Sequence, residues 1–134
     1  MYLLDTNACI HLLNNTSPAL VQRLRRCDAS QLRLSSVVKA ELLYGARHSP
    51  RVAENLQLLE RFSAPFISLP FDDQCAEHYG LIRTDLAARG KLIGPNDLLI
   101  AASARAFDLT LVTHNMAEFT RVVGLRVEDW EVDP

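Results

Sequence analysis

A chain of 134 residues has the length of one domain, enough to bury a core and too little for two ordinary ones. With 49% hydrophobic and 22% charged residues the composition is that of a soluble globular protein, and no stretch reaches the roughly 18 consecutive apolar residues of a membrane span. A net charge of −2 argues against nucleic-acid binding through global positive charge, although carboxylates that hold divalent cations lower the formal sum while the bound ions restore local positive charge.

Tyr2-Leu3-Leu4 followed at once by Asp5-Thr6-Asn7 reads as a short buried strand ending in a carboxylate and turning into a helix. In parallel α/β sheets ligands bind at that end of a strand, where loops diverge and helix N-termini present free N–H groups. Alone, Asp5 suits an Asx turn or a helix cap equally well. Ser17-Pro18 has the form of an N-cap followed by proline at the first helical position. The helix over 18–27 carries Leu20, Val21, Leu24 and Cys27 on one face. Its Arg23, Arg25 and Arg26 form a solvated face or, with Arg33, Arg47, His48 and Arg51, a phosphate-contacting rim.

Residues 31–35 alternate as a second strand, and Ser35-Ser36 caps a helix over 37–47. Glu41 stands there among Val37, Val38, Ala40, Leu42 and Leu43. Burying it is costly unless it is paired or ligates a cation, but a core stripe through Leu42 and Leu43 would turn it to solvent. A packing helix over 51–63 carries Val52, Leu56, Leu59 and Phe62, and a short strand lies between Pro65 and Pro70. Asp72-Asp73 caps a helix over 73–89, with Cys75, Ala76, Tyr79, Ile82 and Leu86 inward and Gly90 as its stop.

The helix opening at 94–96 is apolar almost all round, hence central, and holds Asp97 in its first turn, where the helix dipole favours the ionised carboxylate. Residues 108–113 form the next strand, ending in Thr113-His114-Asn115. Asn115-Met116-Ala117-Glu118 has the form of a capping box. Residues 125–130 form a last edge strand, followed by an acidic tail. Strands alternating with helices imply a mainly parallel sheet between helical layers.

Such a topology can gather Asp5, Glu41, Asp97 and Asn115 in one crevice. Oxygen-only clusters select hard cations such as Mg²⁺ or Mn²⁺, and these support in-line displacement at phosphorus by activated water. Other chemistries find less support. Cys9, Cys27 and Cys75 form no C-x-x-C pair and read as small buried residues, while His11, His48, His78 and His114 lack the spacing of a zinc hydrolase. A metal-free ribonuclease needs a pair of acid–base side chains that the sequence does not display. The amino terminus, with Asp5 interrupting its apolar run, does not read as a signal peptide, which points to the cytoplasm.

Four segments, Leu3–Asn7, Ser35–Ala46, Ile93–Ala102 and Leu111–Phe119, together with the ending Val123–Trp130, resemble the signature blocks of PIN-domain ribonucleases in the VapC branch of type II toxin–antitoxin systems. The resemblance covers nearly the whole chain, in the right order. It implies one three-layer α/β/α PIN-like domain over 1–134. Asp5, Glu41 and Asp97 would be its Mg²⁺ ligands, with Mn²⁺ able to substitute. Asn115 stands where many PIN domains carry a fourth acid, and Thr6, Asn7, Thr113 and Glu118 would be surrounding hydrogen-bonding groups. The implied activity is endoribonucleolytic cleavage, often of transfer RNA, by a homodimeric toxin. A VapB antitoxin would inhibit it and carry the pair to operator DNA. Two rivals are a phosphoryl-transfer enzyme of the haloacid-dehalogenase type, whose D-x-D pattern Asn7 interrupts, and a Mg²⁺-binding signalling module.

Overall fold

The computed structural model describes residues 1–132. Strand β1 (Tyr2–Leu4) runs directly into helix α1 (Thr6–Asn14), and α2 (Pro18–Arg25) follows. A 3₁₀ turn (Ala29–Gln31) leads into β2 (Leu32–Ser35), α3 (Ser36–Arg47), α4 (Val52–Ser63) and β3 (Ile67–Leu69). The second half comprises α5 (Asp73–Ala88), α6 (Pro95–Ala106), β4 (Thr110–Val112), α7 (Met116–Phe119) and β5 (Val127–Glu128). No described helix is long and apolar enough to cross a membrane.

The five strands form one sheet in the order β3-β2-β1-β4-β5, and every pairing is parallel. From β1 the chain steps outward through β2 to β3, then crosses back and continues through β4 to β5. Strand order therefore reverses at the β1–β4 pair. That reversal opens a crevice at the carboxyl ends of the two central strands, because right-handed crossovers send the flanking helices to opposite faces.

The centre is apolar because it is covered on both sides. Leu3, Leu4, Leu34 and Leu111 are fully buried, as are Ala101, Ala102 and Ala104 of α6. The small side chains of α6 permit its close packing with α5. Trp130, just beyond β5, is also buried and meets Tyr2 edge to face, with ring centroids 4.9 Å apart. Asp72 caps α5 by accepting a hydrogen bond from Cys75 N–H at 3.0 Å, and Gly90, at φ 64°, lets the chain leave that helix.

Some sequence expectations change. Leu42 is buried but Leu43 is 46% exposed, so the apolar stripe of α3 does not include both. Ala76 faces outward, and Cys27 is only half-buried. Arg33 does not join a phosphate rim: it donates to the Ser30 carbonyl and reaches Met1, at the opposite end of the strands from Asp5. Arg23 is likewise occupied, 3.2 Å from Glu128 and over the Trp130 ring. The acidic tail is partly folded structure: Glu131 packs beside Asp5, while Asp133 lies outside the described residues.

Candidate active site

Asp5 is the first residue beyond β1, 5% exposed, and its backbone N–H donates to the Val112 carbonyl at 3.1 Å. Its carboxylate caps α1, accepting the Ala8 N–H at 2.8 Å, with the Thr113 side chain near enough to lower its pKa. Burial nevertheless raises its pKa; Thr113, the Ala8 N–H and His11 oppose that rise, and the charge of Glu131 adds to it. Thr113 is itself buried and accepts the Asn115 N–H at 3.0 Å.

Glu41 arrives from α3, which Ser35 starts by accepting the Val38 N–H at 3.1 Å. It is half-buried, and its Oε1 is enclosed with no hydrogen-bond partner. Asp97 arrives from the first turn of α6, close behind Gly94: a β-carbon there would lie 3.5 Å from Asp97 Oδ2. The dipole argument gave Asp97 an easily ionised carboxyl, and the structure reverses it. Burial first, then the Glu118 carboxyl, then the charges of Asp5 and Glu41, raise the Asp97 pKa to about 7. Several anions outweigh the fractional charge of one helix end.

The capping box does not form. The Asn115 side chain makes no capping bond to α7, and Glu118 turns toward Asp97 with its Oε2 buried and unpartnered. Asn115 is half-buried, Asn7 is exposed, and Thr6 has a buried, unpartnered hydroxyl.

Among the described residues the buried side-chain oxygens without partners are Thr6 Oγ1, Glu41 Oε1, Glu118 Oε2 and Glu131 Oε2. Glu41 and Glu118 act on Asp97, Glu131 acts on Asp5, and Thr6 follows Asp5 in the chain. A buried carboxylate oxygen left unpaired is expensive, and gathering several multiplies the cost through repulsion. A divalent cation would offset both terms at once. The donor set is all oxygen, which suits a hard ion such as Mg²⁺ or Mn²⁺.

Sequence reasoning missed a second cluster. One ligand atom from each of His114, Asp129 and Glu131 lies within 4.8 Å of the others. His114 Nδ1 is 2.9 Å from Asp129 Oδ2, and His11 pairs with Glu131. The signal was the buried Trp130 between two acids, at the end of a strand parallel to β4 and hence on the same sheet edge as Asp5.

Comparison with known proteins identifies the family of the chain. A family model described as PIN domain matches residues 2–125. A tRNA(fMet)-specific endonuclease VapC of Shigella flexneri is 42% identical over 129 residues, 96% of this chain and 97% of its own. A ribonuclease VapC2 of Rickettsia felis is 37% identical over 132 residues, 98% of each chain. Among solved structures, DNA-bound VapBC from Salmonella typhimurium superposes with a TM-score of 0.91 at 39% identity, over 96% of this chain and 97% of that one. VapBC2 from R. felis, bound to a fragment of its promoter, gives 0.90 at 37%, over 96% and 98%.

Proposed function

Because the chain belongs to the PIN-domain family and, within it, to the VapC ribonucleases, we propose that it is the Mg²⁺-dependent endoribonuclease toxin of a VapBC-type pair. It comprises one PIN-like domain over residues 1–134 and acts in the cytoplasm. The observation that carries this reading is the gathering of Asp5, Glu41, Asp97 and Glu118 from four elements around buried, unpartnered oxygens. Transfer RNA is the favoured substrate, since two relatives are named tRNA(fMet)-specific endonucleases. A VapB antitoxin is the natural inhibitor and the route to operator DNA, since solved relatives are VapBC complexes and two of them hold DNA. The active toxin is a homodimer.

In this mechanism Asp5, Glu41 and Asp97 would hold the cation, and Glu118 would take the place of the fourth acid that Asn115 does not supply. When bound, the cation lowers the pKa of water and stabilises charge on the attacking and leaving oxygens of the phosphodiester. The Ala8 N–H fixes the orientation of the Asp5 carboxylate, with Thr113 beside it. Asp97 would hold the cation in its deprotonated form, and Asn115, Thr6 and Asn7 would offer neutral groups to orient water and phosphate. Buried packing behind Asp5 keeps bulk water from one side of the centre.

The test is incubation of the protein with bulk transfer RNA and Mg²⁺, with and without chelator, followed by mapping of the new ends. Chelator-sensitive cutting that leaves 5′-phosphate and 3′-hydroxyl ends is expected. A 2′,3′-cyclic phosphate would overturn attack by water, and absence of cutting would return the chain to a phosphoryl-transfer or signalling role.

A further inference from the structure

Helix α3 carries an aromatic pair that the proposed mechanism does not use. Tyr44 stands three residues after Glu41, and a helical turn of about 100° per residue returns it to the same side of α3. It is 69% exposed, and its ring is stacked on that of His48, with centroids 5.6 Å apart and planes 13° apart. His48 is the C-cap of α3, so it covers the tyrosine ring from the carboxyl end of the helix. The other face of the ring leans back toward Ala40, whose methyl group is too small to cover it. Beyond that face lies an open cleft of about 490 Å³ between α3 and α6, lined by the apolar Val37, Ala40 and Leu99, with Glu41 and Asn96 at its polar edge. The cleft adjoins the acidic centre: it shares Glu41 and borders Asp97 through Asn96.

Shape and charge together identify the occupant. A flat ring held open beside a cleft is matched by another flat π-face, whereas the cleft on the far side of Glu41, walled by Ile10, Leu13, Leu58 and Leu59, has no ring at all. Arg47, three residues beyond Tyr44, is exposed and pairs with no carboxylate among the described residues, which suits it to a phosphate. The Asn96 amide, also exposed, offers both a donor and an acceptor to the edge of a base. We infer that Tyr44, backed by His48, is the stacking platform for an unpaired nucleobase of the RNA substrate, seated beside the phosphodiester at Glu41 and Asp97 with Arg47 on a neighbouring phosphate. The inference rests on the ribonuclease reading and adds to it the group that holds the base at the cut. A base stacked within a duplex has no free face to offer, so the platform selects a nucleotide that is already unpaired.

The experiment measures, by fluorescence anisotropy in Mg²⁺, the binding of labelled bulk transfer RNA, whose loops hold unpaired bases, and of a fully paired RNA duplex. The protein is the Asp5→Asn variant, so that binding is read without cutting. Adding Tyr44→Ala should weaken transfer RNA by about fivefold or more while leaving the duplex and the salt dependence of binding unchanged, because stacking releases no counter-ions. Tyr44→Phe keeps the ring and should recover most of that loss. Arg47→Ala should instead lower the slope of log affinity against log salt by roughly 0.7 to 0.9. Circular dichroism and light scattering report folding and oligomeric state. The inference is overturned if folded Tyr44→Ala protein binds transfer RNA as tightly as its parent, or if Tyr44→Phe loses as much as Tyr44→Ala. It is also overturned if the loss falls instead on dimerisation or on binding of a VapB antitoxin, which would give this face to a protein partner. Wild-type protein that neither binds nor cuts RNA would remove the ribonuclease reading itself, a result distinct from RNA bound and cut without regard to Tyr44.

Discussion

The Asp97 carboxyl, in the first turn of α6, lies close enough to the Glu118 carboxyl on α7 for Glu118 to raise its pKa. Burial first, then Glu118, then the charges of Asp5 and Glu41, raise the Asp97 pKa to about 7 from the ordinary 3.8. The folded chain therefore binds a proton that the unfolded chain releases. The stability this contributes is full below the unfolded value of 3.8 and is lost as pH rises through about 7. In chelator, the melting temperature should fall between about pH 5 and pH 8, and Asp97→Asn should remove much of that fall. The remainder belongs partly to His114, whose pKa its bond to Asp129 raises and whose contribution runs in the same direction. Thermal melts of both proteins across that range provide the check; an unchanged slope in the variant would place the titration elsewhere.

The same proton competes with the cation. Ligating carboxylates must be deprotonated, so Mg²⁺ should bind more weakly near pH 6 than near pH 8 and should release a proton as it binds. Calorimetry in two buffers of different ionisation enthalpy measures that release directly. The release should vanish in Asp97→Asn, and Mg²⁺ should then raise the melting temperature far less than in the wild type.

Asn115 and Glu118 compete for the role of fourth acid, and the structure separates what their substitution should do. Glu118→Gln keeps size and hydrogen bonding but removes a charge acting on Asp97. It should raise the chelated protein's melting temperature near pH 8 while cutting RNA cleavage by about tenfold or more. Asn115→Ala loses no capping bond, because none is present, and should change cleavage by only a few-fold. Initial rates on transfer RNA, read beside melting curves, distinguish the two.

Much of this was legible in the sequence, for local reasons. Tyr2-Leu3-Leu4-Asp5 announces a buried strand with a polar end, Ser17-Pro18 a helix start, and the alternation of strand and helix a parallel sheet. Side-chain direction over long range was less legible. Asn115-Met116-Ala117-Glu118 satisfies the spacing of a capping box, yet α7 is one short turn, and its glutamate turns toward Asp97. The dipole argument for Asp97 failed because it counted one helix and could not count the burial of the carboxyl, nor the anions delivered by α3, α7 and β1. Glu131 escaped notice because nothing near it in sequence shows that Trp130 is an anchor; that follows only from Tyr2, at the other end of the chain.

Asp5 has two roles, and substitution can separate them. It caps α1 through the Ala8 N–H and, in the proposed mechanism, ligates the cation. Asparagine is as good a helix cap as aspartate, so Asp5→Asn should keep the fold and antitoxin binding, with stability within a few tenths of a kcal/mol. Asp5→Ala should lose about 1 kcal/mol with the cap. Both should lose RNA cleavage, because neither supplies a carboxylate where β1 ends. Denaturant melts measure the first difference, and growth of cells expressing each variant without antitoxin measures the second. Continued growth arrest by a folded Asp5→Asn protein would show that toxicity does not depend on a charged ligand at this strand end.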